Sequence, residues 1–352
     1  MSRPHLFSML PGDLVAHLAA HGVTSELGAA RRLMAHTVAD GRDDLEVRGG
    51  LKRAIKQAVE DTMNRSTLEL VERAVDEADG FTKYLFRSPD DALSEAVRIP
   101  LHKPGRFTVC LSSQVGCAMG CRFCATGRMG LVRNLEAWEM VAAFREVRRD
   151  TAAEDHVSGA VFMGQGEPFE NYDEVIRAAD VLCHPCGGRI RGEAISISTA
   201  GLVPEIRRYT REGHRFRLIV SLTSAIAERR RRLMPVAGKV SLDELASALR
   251  EHAETRDRVT VAWVVLGGIN TGPDEAAALM SLLGGVPLRL NLIDVNDPRD
   301  GGFRRATPEE LDAFIDSLQP LRVPIVRRYS GGSGCHGACG MLTAQWNQSS
   351  SR

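Results

Sequence analysis

The stretch Val109–Gly130, "VCLSSQVGCAMGCRFCATGRMG", packs four of the chain's eight cysteines into fifteen residues. Cys117, Cys121 and Cys124 follow the spacing Cys-x3-Cys-x2-Cys, and Cys110 stands apart on the upstream side. A closed structural metal site takes four ligands. Three thiolates leave one position of a zinc ion, or one iron of a four-iron cluster, open to bind something else. Gly116, Gly120 and Gly127 let the backbone curl close to a bulky inorganic core. The competing reading is three unligated thiols that meet this spacing by chance.

The stretch opens with a β-rich run, "FTVCLSSQV", and it is the first of several. "GAVFMG", "AISIST", "RLIVSLT", "VTVAWVVL", "LRLNLID" and "VPIVRRY" follow it. Helical patterns separate most of them, including "LEAWEMVAAFREVRRD", "YDEVIRAADVL", "SLDELASALREHAE", "DEAAALMSLL" and "PEELDAFIDSLQ". Strand and helix in steady alternation predict an α/β fold of βα units around a parallel sheet, a partial (βα)6-type barrel, with an open doubly wound sheet as the alternative. Either architecture gathers function at the loops after the strands' C-terminal ends, where the cysteine cluster falls.

Upstream, residues 1–80 read as a small helical accessory domain carried by "GDLVAHLAAHGV", "ELGAARRLMAHTVAD" and "TLELVERAVDEADG". Residues 81–105 read as a linking hairpin, two extended runs around a Ser-Pro-Asp-Asp turn. The alternating core is expected over 106–342, and 343–352, ending "NQSSSR", as a flexible tail. The 352 residues carry 45 basic and 45 acidic side chains. A balanced charge gives no global case for a nucleic-acid partner, so local patches must carry it. No signal-peptide pattern and no run of membrane-spanning length is apparent, so a cytoplasmic protein with no membrane partner is expected. In that compartment thiols stay reduced, and clustered cysteines favour metal or redox chemistry over structural disulfides.

The cysteine loop resembles that of radical S-adenosylmethionine (radical SAM) enzymes, and "CLSSQVGCAMGCRFCATG" is similar to the RlmN/Cfr family of RNA methyltransferases. "KYLFRSPDDALSEAVRIP", "FMGQGEP", "SISTAGLVPEI", "WVVLGGIN", "NLIDVND" and "VPIVRRYSGGSGCHGACGML" match that family in order, from about Asp79 to Leu342. The resemblance implies a radical SAM barrel holding a [4Fe-4S] cluster on Cys117, Cys121 and Cys124, with S-adenosylmethionine on the open iron. It implies methylation of an adenine ring carbon, C2 or C8, in ribosomal or transfer RNA. The partners expected are that RNA and a reductant such as flavodoxin or ferredoxin, acting on a monomer.

Three further residues take roles from the resemblance. Cys339 would carry the methyl group, Cys110 would resolve the intermediate and leave a disulfide, and Glu95 matches the proposed base. On residue type alone, Cys110 reads equally as a buried apolar thiol and Glu95 as one more hairpin carboxylate. For the cofactor, Gly166 permits close backbone approach and Glu167 offers a carboxylate to an ammonium or hydroxyl. Ser198, Ser221 with the adjoining Leu222 and Thr223, and Asn296 take positions that match the family's ligand contacts. Serines after strands are also ordinary turn formers.

The chain departs from the family at four places. Thr223 stands where His is usual and Gln165 where Met is usual. "GSGCHGACG" adds Cys335 ahead of Cys339, and "LIDVNDPRDGG" lacks the usual proline- and tryptophan-containing loop. These departures leave open a radical SAM methyltransferase for a peptide or heteroaromatic substrate. A non-catalytic RNA-binding redox sensor is a third reading, disfavoured by the presence of Cys110 and Cys339. Between Val203 and Val240 ten Arg or Lys face three Glu, which reads either as a phosphate-binding patch or as a solvated helix face. "LCHPCGG" (Cys183, Cys186) has redox-motif spacing but falls away from the strand ends, so two incidental thiols are expected.

Overall fold

A computed structural model describes residues 3–343 apart from 298, 300, 301 and 329. The tail expected at 343–352 therefore lies outside the described residues except for Thr343. The chain opens with helices α1 (Pro11–Ala20), α2 (Leu27–Met34) and α3 (Arg53–Thr62). Strands β1 (Glu69–Val75), β2 (Thr82–Arg87), β3 (Leu93–Pro100) and β4 (Arg106–Leu111) follow, and then the short hairpin β5 (Gln114–Cys117) and β6 (Gly130–Asn134). The alternating half runs α4 (Ala137–Arg149), β7 (His156–Phe162), α5 (Tyr172–Cys183), β8 (Ile195–Thr199), α6 (Val203–Glu212) and β9 (Arg217–Ser221). It continues through α7 (Ala227–Leu233), α8 (Leu242–Arg256), β10 (Val259–Val265), α9 (Pro273–Leu283), β11 (Leu288–Asp294), α10 (Pro308–Leu318) and β12 (Ile325–Arg328).

One ten-stranded sheet has the order β1-β2-β3-β4-β7-β8-β9-β10-β11-β12, and β5 and β6 pair separately. From β4 to β12 every neighbour is parallel, whereas β1 to β4 are joined antiparallel. The expected hairpin is present, with Arg87 opposite Leu93, and it extends the main sheet. Among the described residues β1 and β12 do not pair with each other, so the barrel is open.

The parallel strands separate large side chains from small ones by their two-residue period. In β10, Trp263 is fully buried and packs on Phe314 of α10, ring centroids 5.7 Å apart. Its neighbours Ala262 and Val264 face inward, alongside Ser198, Ser221 and Ile293 from the adjacent strands. Bulk goes outward against the helices, and small or polar side chains line the inside. A barrel interior filled in this way stays hollow instead of closing into a solid core.

The amino-terminal segment has no core of its own. Leu6, Leu14, Leu33 and Ile55 join Val141, Phe144 and Val175 in one continuous buried cluster. His5 stacks on Trp138 at 4.3 Å, and the Arg145 guanidinium lies 4.0 Å over the Phe7 ring. The reading of "TLELVERAVDEADG" as helix is corrected: residues 69–75 form edge strand β1. Leu68, Val71 and Val75 are spaced as on a helix face, but pairing to β2 overrides that pattern. β-Branched Val71 and Val75 suit the sheet, and a bulge between Leu70 and Glu72 with charged Glu69, Glu72 and Arg73 is an edge-strand composition.

Candidate functional site

All the parallel strands end at one cavity. Its wall includes Cys110 of β4, Met163 after β7, Ser198 of β8, Ser221 of β9, Val264 of β10 and Arg328 of β12. Cys117, Cys121 and Cys124 line the same cavity, together with Gly166, Glu167, Asn296 and Cys339. Residues up to 230 positions apart in sequence thus converge, as expected at strand C-termini.

The cluster loop is built by close backbone packing. Cys117 ends β5 opposite Gly130, and the Cys124 N–H donates to the Cys121 carbonyl at 3.1 Å. A Cβ on Gly127 would stand 2.8 Å from Cys121 N and 2.9 Å from Cys121 O, so only glycine lets the loop fold back there. Burial pushes the Cys117 thiol up to about 12, and burial, then Cys124 and Cys117, push Cys121 up as well. All three are free thiols. Among the described residues no three His, Cys, Asp or Glu side chains are disposed to hold a lone metal ion. Cys117, Cys121 and Cys124 line one cavity, and three thiols are the donor set for a polynuclear iron–sulfur core with one iron left open. Buried thiols gain their charge most readily from metal coordination, which deprotonates them outright.

Glu167 is 3 % exposed, and its two oxygens accept from Phe169 N at 2.9 Å and Ala200 N at 2.6 Å. Burial raises its carboxyl to about 7, against the pull of those hydrogen bonds. Gly166 has φ +102°, and a Cβ there would meet Gln114 Cβ at 2.6 Å, so the turn that presents Glu167 requires glycine. Because the folded-state value of about 7 exceeds the ordinary 4.5, the folded protein keeps a proton the unfolded chain has lost. Stability of metal-free protein should therefore fall as pH rises through that window, by on the order of 3 kcal/mol from this group, and level off above it. Chemical denaturation of wild type and Glu167→Ala across the window checks this. A stability gap between them that stays constant with pH would show that Glu167 does not titrate there.

Cys110 and Cys339 line the same cavity. Burial and the nearby Cys339 push Cys110 up to about 12, while Arg328 pulls the other way. Both thiols are free. Cys339 is solvent-accessible by area, yet protein surrounds its sulfur closely enough to raise its pKa, with Arg328 opposing and Cys124 adding. Cys335 does not line the cavity: it is buried beneath the loop with its thiol donating to Gly332 O at 3.4 Å.

The loop that carries Cys339 is pinned on three sides. Asp79 and Asp76 accept from Gly332 N at 2.8 Å and Gly334 N at 2.7 Å. Asn296 Nδ2 donates to Ser330 Oγ at 2.6 Å and to the Cys339 carbonyl at 3.3 Å. On the cluster side Ala125 N donates to Gly340 O and Thr126 Oγ1 to Leu342 O, each at 2.7 Å. Asn296, expected at a ligand, thus also braces Cys339.

Three expected residues are not brought to the wall. Leu222 lies in the apolar core and Thr223 next to it off the cavity wall, with φ +60° and a buried hydroxyl that has no partner among the described residues. Glu95 is also off the lining and pairs with Lys83, whose Nζ is 3.3 Å from its Oε1. Gln165 packs nearby, its side-chain oxygen accepting from Glu95 N at 3.2 Å.

Three residues escaped the sequence reading. Arg230, from the run "ERRRR", is buried beside Cys121 and donates to Ala200 O at 2.7 Å and Ser221 O at 3.2 Å. Burial lowers it to about 10, with Cys121 opposing. Three of its neighbours in the Val203–Val240 patch are neutralised: Arg207 pairs with Glu251, Arg208 with Asp173 and Glu212, and Arg229 with Asp274 and Glu275. Asp76 and Asp79 gave no signal, since their partners lie some 250 residues downstream. Cys183 and Cys186 sit at the end of α5 and in the following loop, away from the cavity. Among the described residues no helix is long and apolar enough to cross a membrane.

The sequence profile of the Radical SAM superfamily matches residues 111–283. A probable RNA methyltransferase of Anaeromyxobacter sp. (strain Fw109-5) is 52 % identical over 90 % of this chain and 93 % of its own length. The dual-specificity RNA methyltransferase RlmN of Syntrophobacter fumaroxidans is 37 % identical over 92 % of this chain and 94 % of its own. The crystal structure of a radical SAM methyltransferase from Sphaerobacter thermophilus superposes with a TM-score of 0.87 at 34 % identity, covering 97 % of this chain and all of that one.

Proposed function

The chain belongs to the RlmN-type radical SAM RNA methyltransferases, and on that premise we propose that it methylates an adenine ring carbon in RNA through a methylated Cys339. The observation that carries this reading is the convergence of Cys339 and Cys110 on one cavity with the three cluster cysteines. Cys117, Cys121 and Cys124 would hold the [4Fe-4S] cluster, which supplies, when bound, the electron for reductive cleavage of S-adenosylmethionine. Ser198, Ser221, Gly166 and Glu167 would surround that cofactor, the Glu167 carboxylate meeting its ammonium group.

An adenine ring carbon bearing hydrogen is a poor nucleophile, so a protein thiol divides the transfer into covalent stages. Cys339 would take a methyl group from one S-adenosylmethionine; that methyl would give up one hydrogen atom to the 5′-deoxyadenosyl group of a second, which leaves its carbon free to bond to the adenine carbon. Attack of the Cys110 sulfur on the Cys339 sulfur would break the remaining carbon–sulfur bond and leave a Cys110–Cys339 disulfide, the released carbon keeping the bonding pair and taking up a proton to become the product methyl. An external reductant returns both to thiols. The ring proton goes to Glu95, whose carboxylate must first part from Lys83 to reach the cavity. Asn296, by fixing the Cys339 carbonyl, keeps the carrier sulfur aimed inward.

The test is mass spectrometry of nucleosides from total RNA of a deletion strain, with and without the gene restored. A methyladenosine that disappears and returns supports the assignment, and its fragmentation gives the carbon. An unchanged nucleoside profile from a strain whose purified protein still cleaves S-adenosylmethionine would overturn the RNA substrate.

A further inference from the structure

The opposite end of the barrel carries a second cleft that the reaction does not use. It lies where β4 and β7 begin, and is lined by Lys103, Arg106, Arg148, His156, Arg189 and Arg191. Among the described residues no carboxylate lines it, although the chain as a whole is neutral. Arg106 and His156 are register partners at the first positions of β4 and β7. Arg148 comes from the last turn of α4, and Arg189 and Arg191 come from the segment between α5 and β8. Arg148 is half-buried, anchored by a 3.0 Å bond to Gly188 O, and both burial and Arg189 lower its pKa. Arg189 has one acidic neighbour, Asp40, at 3.6 Å. Lys103, Arg106 and Arg191 have no carboxylate within ion-pair distance among the described residues.

Cations held together without counter-charges are costly unless an anion joins them. The apolar part of the lining is small, Leu101 and Val157, and no Phe, Tyr or Trp is present. The cleft therefore offers nothing on which a base would stack and much that would hold a phosphate. Five permanent cations from three separate segments make a multidentate grip instead of one chance site.

We propose that this cleft binds the phosphodiester backbone of the RNA substrate at a point remote from the adenosine being modified. The proposal rests on the RNA methyltransferase reading. The six residues of β4 separate the cleft from the catalytic mouth by about 20 Å. A folded RNA can reach both ends of the barrel, and a short oligonucleotide in the mouth cannot. The cleft would thus select for large structured RNA without reading its sequence.

The experiment compares holoenzyme with the double variant Lys103→Ala/Arg191→Ala, whose replaced side chains are exposed and unpaired. Arg207→Ala, part-exposed but paired to Glu251 outside the cleft, serves as control. The probe is unfractionated transfer RNA, titrated by fluorescence anisotropy over a range of salt. Each lost phosphate contact should weaken binding about eightfold near 0.1 M salt and flatten the slope of log K against log salt by about 0.9. Loss of both should therefore flatten the slope by about 1.8, with RNA-independent cleavage of S-adenosylmethionine unchanged. The control should match wild type. If wild type binds and methylates RNA while the double variant has the same affinity and slope, the cleft is not an RNA site and the family reading stands. If wild type binds no RNA at all, both fall together.

Discussion

Cys339→Ala should abolish methyl transfer to RNA while leaving iron content and reductive cleavage of S-adenosylmethionine near wild-type levels. The split follows from where the sulfur sits. Cys339 lines the cavity with the cluster cysteines, and the hydrogen bonds that tie its loop to theirs come from the Ala125 backbone and the Thr126 hydroxyl. Removing the thiol takes away the methyl carrier and leaves those bonds in place. Cys335→Ala, four residues away, should retain activity, because its thiol is spent beneath the loop on Gly332 O. Cys110→Ala should differ from both: without the second sulfur the carbon–sulfur bond to Cys339 cannot be broken, so RNA should remain covalently attached to protein. Mobility-shift gels under denaturing conditions read that adduct, and nucleoside mass spectrometry reads the product. Methylated RNA from Cys339→Ala would sink the two-cysteine route, and equal loss in Cys335→Ala would reassign the carrier.

The parts of this molecule legible in the sequence are those decided locally. Each parallel strand is a short apolar run between helical patterns, and burial on both faces makes that signal strong. The cysteine spacing, too, is a local property of one loop. Edge strand β1 was misread because Leu68, Val71 and Val75 satisfy a helix face and a strand with a bulge equally well, and only pairing with β2 decides between them. The charge patterns show the same limit. Ten cations between Val203 and Val240 look like a binding patch, yet folding sets Glu251, Asp173, Glu212, Asp274 and Glu275 against Arg207, Arg208 and Arg229 and buries Arg230. Meanwhile Lys103, Arg106, Arg148, Arg189 and Arg191, unremarkable in sequence, meet in one cleft. Net charge along a window measures composition, whereas a binding surface depends on which counter-charges the fold supplies.

The same reasoning applies to Cys339, whose neighbours in the sequence do not place it. Asp76 and Asp79 lie in the turn between β1 and β2, and Asn296 follows β11. Together they hold a loop whose own sequence, rich in glycine, has little conformational preference. The long-range clasp explains how such a loop can present a thiol at a fixed place: the order comes from its acceptors and donors elsewhere. Residues of this kind leave no motif, since any carboxylate at that place in the fold would serve.

Gly127→Val should empty the cluster site nearly as completely as Cys121→Ala, although it removes no ligand. The Cβ added at 127 meets Cys121 N at 2.8 Å and Cys121 O at 2.9 Å, and both are backbone atoms that cannot swing aside as a flexible side chain would. To relieve that overlap the loop must open between Cys121 and Gly127. Cys124 lies inside the opened segment, and the turn bond from Cys124 N to Cys121 O is lost with it. Overpacking in a close-packed site typically costs about 1–3 kcal/mol. Here the strain falls on the geometry that sets the three thiols around one core, and a cluster held by only three protein ligands has none to spare. Iron and sulfide assays after anaerobic reconstitution, with the absorbance of the cluster, measure the outcome. Far-ultraviolet circular dichroism should remain near wild type, because β4 and β7 pair independently of this loop. A Gly127→Val protein with full iron content and normal reductive cleavage of S-adenosylmethionine would show that the loop tolerates opening, and that thiol spacing alone, without this backbone contact, is enough to build the site.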